Sequence, residues 1–383
     1  DGAQRAWAGA LRAELLLLGG GPVAEALAAL QQAAAEAPGL LAAELRLRGA
    51  SWAVQGRRNA EAQALFDEAR AALLAAGGLH RIRATVETVA FWNLLSGWSA
   101  LQPLEPRLQE LDRLLAELRG QGDAVPSLLL AELESNAGSI HLNRGDLQRA
   151  RPLIERGLAL RLQALGTPLE RVPLLGQAAG VAMDSGRHDL SDRLYRQRLQ
   201  ARIEAGHGRH FLVANDRRWV ALNASMAGWT EAALRVLDEA PPEQELVQAA
   251  PEPGWYARTL QEARARVLLN AGRAEEVLAL LTPRPPGRQD HSLFGAPTAP
   301  PWLRAEAQCL LRPERQALAA MQAYLQALPA EVHPQAPQLA RLRAVAAGCA
   351  WRLGEQGEAR ALARLAGAAL TSAAADEISP YYR

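Results

Sequence analysis

A glycine, a small residue five positions later and a large apolar residue four beyond that recur along the chain. Gly145 leads to Ala150 and Ile154, Gly186 to Ser191 and Tyr195, Gly228 to Ala233 and Leu237, and Gly272 to Val277 and Leu281. Gly354 leads to Ala359 and Ala363, and Gly21 to Ala26, Leu30, Ala33 and Pro38. Gly56, Ala62 and Phe66 repeat the pattern with one extra residue in the turn. Residues four apart share a helix face. The triplet therefore describes a helical hairpin. Glycine ends the first helix in a left-handed conformation, the small residue admits the neighbouring helix, and the large one fills the space between them. The glycines at 145, 186, 228 and 272 lie about 41, 42 and 44 residues apart, and Gly354 stands about two further periods on. Arg312 and Pro313 occupy the place of the intervening turn. One hairpin cannot bury its own apolar face, so such units stack. The pattern predicts an all-α chain of about nine antiparallel hairpins, roughly 18 helices.

Breaks in the pattern divide the chain. They fall at GGGP (19–22), at Gly77 and Gly78, from Gly120 to Asp123, and from Gly206 to Gly208. Pro241 to Gly254 reads as a loop with a helical turn. Thr282 to Pro301 is so rich in proline that neither a helix nor an inner strand suits it. The expected organisation is N-terminal, partly degenerate repeats over 1–124, central repeats over 125–281, a proline- and glycine-rich loop over 282–301, and C-terminal repeats over 302–383. The final ISPYYR leaves the helical pattern and caps or trails it.

Composition strengthens the helical reading. Alanine and leucine, both strong helix formers, dominate, and aromatics are 5%. Every basic residue is arginine, which fits a GC-rich bacterial genome better than any physical demand. The net charge of +1 lacks the basic excess of most nucleic-acid or membrane-surface binders. No apolar run is long enough to span a bilayer, and no signal peptide is read, though missing targeting signals say little about compartment; the expected location is cytoplasmic. The chain begins at Asp1, which fits an excised part of a longer polypeptide. Two cysteines, Cys309 and Cys349, are too few for a disulfide framework or a zinc site and read as buried thiols packing like small apolar residues.

Catalytic and cofactor chemistry is not legible. GGGP lacks the lysine and preceding strand of a phosphate-binding loop. His207 and His210 sit in a glycine-flanked turn without a third metal ligand. No G-x-S-x-G nucleophile motif occurs. Carboxylates such as Glu61, Asp67 and Glu68 lie at helical spacing beside arginines such as Arg70 and read as solvated faces. Arg217, Arg218 and Trp219 form an isolated basic–aromatic cluster that suits helix-surface packing or peptide contact better than nucleic acid. The expectation is a protein that is not an enzyme, without cofactor, metal or membrane span.

The spacing resembles the tetratricopeptide repeat. Gly21, Ala26, Leu30, Ala33 and Pro38 match that family's glycine, alanine, large residue, alanine and proline, and Gly138 to Gly157 adds its glycine inside the first helix. The period near 42 and the segment LQALGTPLERVPLL are similar to the longer variant of kinesin light chains and many bacterial regulators. Units near 80–120 and 300–328 match least. The resemblance implies a right-handed superhelical solenoid whose first helices line a concave groove for a peptide or partner protein. Counted from the turn glycines, the groove candidates are Ser135, Asn136, Ser139, Asn143, Gln177, Gly180, Met183, Asn215, Arg218, Trp219, Met226, Glu262, Arg266 and Asn270. The amides of Asn136, Gln177, Asn215 and Asn270 would pair with a peptide backbone. Arg218 and Arg266 would grip a carboxylate, Ser139, Gly176 and Gly180 leave room for a ligand, and Met183, Met226 and Trp219 give adaptable apolar contact. A protein–protein interaction scaffold is the leading expectation. The alternative is the sensor region of a larger bacterial protein carrying a Ser/Thr kinase or winged-helix domain.

Overall fold

A computed structural model of the chain describes residues 2–18, 22–56, 58–98, 105–163, 168–184, 187–247, 254–281, 300–328, 332–333 and 336–372. The turn glycines expected at 21 and 186, nearly all of GGGP, residues 282–299 of the proline-rich loop and the final ISPYYR lie outside them.

The described residues form eighteen α-helices and no strand. In chain order they pair as α1 (Gly2–Leu18) with α2 (Val23–Glu36), α3 (Gly39–Gln55) with α4 (Asn59–Ala76), and α5 (Gly78–Trp98) with α6 (Glu105–Gly120). Next come α7 (Ser127–Arg144) with α8 (Leu147–Gln163), α9 (Pro168–Asp184) with α10 (His188–Arg202), and α11 (Val213–Met226) with α12 (Thr230–Asp238). The last three pairs are α13 (Trp255–Asn270) with α14 (Ala274–Leu280), α15 (Pro300–Leu311) with α16 (Arg315–Gln326), and α17 (Pro337–Arg352) with α18 (Gln356–Ser372). Nine hairpins are thus present among the described residues, including the two weakly matched ones.

The small and large residues of the repeat are its core. Ala26, Ala62, Ala150, Ser191, Ala233 and Val277 are wholly buried, and Leu30, Phe66, Ile154, Tyr195, Leu237 and Leu281 nearly so. Ala363, expected in the same role, is exposed, and Ala366 is buried instead. The turns repeat one hydrogen bond in which the residue opening the second helix donates its N–H to the carbonyl five residues earlier. Asp146 donates to His141 at 2.9 Å, Trp229 to Ala224 at 3.0 Å, Arg273 to Leu268 at 2.9 Å and Glu355 to Ala350 at 2.9 Å. This closure requires a left-handed residue just before the donor, supplied by Gly228 (φ 82°) and Gly272 (φ 75°). The Gly56 turn, with its extra residue, keeps the bond from Arg58 to Ala53 while Gly56 itself stays at φ −77°. Gly272→Ala should therefore lower stability by about 1–2 kcal/mol, read as the urea midpoint. An unchanged midpoint would refute the role given to this glycine.

The fold comprises two compact units. One spans residues 1–140, 155–165 and 244–253, the other 141–154, 166–243 and 254–383. The core of the first unit joins Ala6, Ala10 and Ala13 to Leu30 and Leu45, and Leu27 to Phe66 and Phe91. The rings of Phe66 and Phe91 stack at 4.3 Å. In the second unit, Ala233, Leu237, Val267, Val277 and Leu303 form one cluster, and Trp302, Met321, Tyr324 and Leu342 another.

Two expectations are corrected. Pro300 and Pro301 open α15 instead of closing the loop, because a proline in the first turn gives up no intrahelical bond. Cys309 and Cys349 are not thiols but a disulfide, with Cα atoms 5.7 Å apart. The repeat period brings them together: they stand 40 residues apart, at matching places on α15 and α17.

Candidate partner-binding face

The expected binding residues lie on the first helices of four hairpins, α7, α9, α11 and α13. In the first unit, α7 packs so closely on α8 that a Cβ on Gly157 would fall on the Ser135 hydroxyl and lie 2.9 Å from the Ala131 carbonyl. Ser135 is consequently buried beneath α8, and Ser139 is buried as well. Asn136 is half-buried, and its amide is engaged between helices. Nδ2 donates to the Glu132 carbonyl at 3.0 Å, and Oδ1 accepts from Asn93 Nδ2 of α5 at 2.9 Å. On α5, burial pushes the Glu87 carboxyl up, and the charge of Glu132 adds to the effect.

In the second unit, several expected contacts are taken by the fold itself. Trp219 stacks on Tyr195 at 5.8 Å, within a core that includes Met183 and Leu222. Gly180 lies against Leu142 and Tyr195, where a Cβ would make only ordinary contact at 3.5 and 3.7 Å. Arg266 is fully buried, and its guanidinium meets both oxygens of Glu306 on α15, at 3.0 and 2.8 Å. Trp302 Nε1 donates to the same carboxylate at 3.0 Å. Burial opposes the charge on Glu306, yet the Arg266 charge and hydrogen bonds hold the carboxyl below the usual range. The carboxylate expected from a ligand is thus the chain's own. Asn270, though exposed, gives its Nδ2 to Ser225 Oγ at 2.8 Å.

Other candidates remain at the surface. Asn143, Gln177, Asn215, Arg218, Met226 and Glu262 are half-buried on α7, α9, α11 and α13. The Arg218 guanidinium sits 4.9 Å over the Trp219 ring. The Gln177 Oε1 is shielded from solvent and accepts no hydrogen bond among the described residues.

Residues that the sequence reading treated as solvated carboxylates, or passed over, prove to be buried centres. Glu134 of α7 accepts from Arg119 of α6 and Arg156 of α8, each at 2.9 Å. Asp216 of α11, wholly buried, meets Arg198 at 2.8 Å and Arg202 at 2.5 Å, both from α10. Arg198 crosses directly over Gly176, which explains the glycine there. The available signal was position: Glu134 and Glu306 occupy core-facing steps among Leu133, Ala137, Ala305 and Ala307. Tyr256 anchors the loop before α13 by donating to the Pro241 carbonyl at 2.7 Å, and burial pushes its hydroxyl up to about 12.

Among the described residues no helix is long and apolar enough to cross a membrane, and no group of three His, Cys, Asp or Glu could hold a metal. No family model and no curated protein matches the chain. Solved structures do. A Rap protein complexed with Competence and Sporulation Factor matches with a TM-score of 0.58 at 13% identity, over 89% of this chain and 95% of that one. The apo form of RapI matches at 0.51 and 12% identity, over 88% of this chain and 99% of that one. A kinesin light chain from Podosopora anserina with nearly identical TPR-like repeats covers 52% of this chain and 92% of its own, at 16% identity and a TM-score of 0.42. The helical hairpins of each unit, their repeating turns and the two matches with TM-scores above 0.5 identify the chain as a tetratricopeptide-like helical-repeat protein in fold.

Proposed function

We propose that the chain is a non-catalytic interaction scaffold that binds an extended stretch of a partner protein along the first helices of its second unit. The observation that carries this reading is the Gln177 Oε1, shielded from water and without a donor among the described residues. Such an acceptor costs roughly 1–3 kcal/mol when left unmet. Turned outward about its side-chain torsions, the amide would accept a backbone N–H of an extended partner without demanding a particular side chain. Asn215, Arg218, Met226 and Glu262 continue the half-buried face on α11 and α13. They offer an amide, a guanidinium already oriented by an aromatic ring, a thioether and a carboxylate, a set suited to peptide recognition and not to bond breaking. The Rap structure of the same fold holds a bound factor, which makes such use of the fold reasonable here.

The test is selection of peptides from a displayed random library on the full chain, then titration of the tightest by fluorescence anisotropy. Gln177→Ala combined with Arg218→Ala should weaken binding at least tenfold, with unchanged circular dichroism. Undiminished affinity in the folded double variant would move the site elsewhere.

A further inference from the structure

Neighbouring first helices are tied by links about one repeat period apart. Asn93 bonds Asn136, Ser225 bonds Asn270, and Arg266 pairs with Glu306. These ties are polar and reversible. Between α15 and α17 the tie is covalent, and it exists in only one oxidation state. Its two sulfurs come from the only cysteines in the chain. Both lie in the cluster of Trp302, Met321, Tyr324 and Leu342, and Arg352 Nη1 donates to the Cys309 carbonyl beside them at 3.3 Å.

We propose that the Cys309–Cys349 bond is a redox-controlled lock between the α15–α16 and α17–α18 hairpins. Reduced, the two thiols occupy nearly the same volume and pack as small apolar residues, so the core persists while the cross-link is lost. Each hairpin of a stack touches only its neighbours, so α17–α18 can part from α15–α16 without unfolding the remainder. That parting is also the route of entry to a bond that is 4% exposed at Cys309 and 2% at Cys349. The reductant is a dithiol. One of its thiolates attacks a cystine sulfur, the S–S bond breaks, and the departing cysteine thiolate takes up a proton. The second thiol, losing its proton, then displaces the other cysteine from the mixed disulfide. The dithiol leaves oxidised as a disulfide, and Cys309 and Cys349 are left as thiols. Leu310 and Leu311 are exposed on α15 and Trp351 on α17, the two helices that the bond joins.

The test uses the full chain, oxidised with diamide or reduced with dithiothreitol under native conditions. Alkylation in denaturant counts thiols, and amide hydrogen exchange reads the hairpins. The oxidised protein should carry no alkylatable cysteine. Native reduction should expose two and speed exchange in α17 and α18 at least tenfold, leaving α11 to α13 unchanged. Cys309→Ala with Cys349→Ala should exchange at the reduced rate and ignore the reagent. Two alkylatable thiols after diamide would overturn the proposal. So would a bond that dithiothreitol opens only after global unfolding, which would make it a permanent staple, or equal exchange rates in the two states.

Discussion

Glu306→Gln should destabilise the second unit by about 3–5 kcal/mol, the loss typical of a buried ion pair deprived of one partner. The substitution keeps the size of the side chain and an acceptor for Trp302 Nε1, so it isolates the charge. It leaves the Arg266 guanidinium buried among α13 and α15 with no counter-charge from Glu306. Urea unfolding followed by circular dichroism reads the effect. A change below about 1 kcal/mol would place this pair with exposed surface pairs, against its geometry. Adding Arg266→Met should restore most of the loss, because removing both charges removes the desolvation penalty together with the attraction. The pair also sets a pH dependence. The Glu306 carboxyl is held below its ordinary value in the folded chain, so its contribution is fully present above the unfolded pKa of about 4.3. It is lost as pH falls through the lower folded value. As pH falls from about 4.3 toward the folded value, the wild type should therefore lose stability more steeply than the Arg266→Met, Glu306→Gln variant. Parallel acid curves would refute the assignment.

Gly157→Ala has the second large expected effect, and its sign is diagnostic. Alanine is the better helix former by about 1 kcal/mol, so in an open helix the change would stabilise. Here the added Cβ would meet the Ser135 hydroxyl, the Ala131 carbonyl at 2.9 Å and the Ser135 nitrogen at 3.1 Å. The last two are backbone atoms that cannot rotate aside, so α7 and α8 must separate. Overpacking of this kind costs about 1–3 kcal/mol, enough to reverse the propensity gain. Ser135→Gly should rescue only part, since the Ala131 carbonyl remains, and a double-mutant cycle measures that share. A net gain in stability would show that the two helices have room to spare.

The hairpins were readable because the repeat is written in the residues that local geometry demands: a left-handed glycine, a small residue at the close approach, a large one a turn later. Even α5–α6 and α15–α16, poor in those marks, pair because they must bury an apolar face like any other unit. The binding face was less legible for a physical reason. Counting from Gly145, Gly228 and Gly272 places a residue on the first helix, but it does not reveal whether a neighbouring helix has already taken up its side chain. Asn136 and Asn270 are spent between helices, Arg266 has its own glutamate, and Trp219 lies against Tyr195. Glu134, Asp216 and Glu306 were missed because a carboxylate near arginines at helical spacing looks the same in sequence on a wet face as on a buried one. The cysteines were misread because their pairing depends on period matching across 40 residues.

The buried charges also bear on how the hairpins find their order. Alanine-against-leucine contacts are nearly alike from one hairpin to the next, so shape alone would let a unit dock on the wrong neighbour or on another molecule. Repeat arrays are prone to such misassembly. Arg266 fits only where Glu306 arrives, and Asp216 only where Arg198 and Arg202 do. A shuffled neighbour would strand an ion in an apolar seam, a penalty of several kcal/mol. The charges thus act as addresses, rejecting wrong junctions more strongly than they strengthen right ones, and a chain with these pairs neutralised should swap segments and form oligomers on refolding.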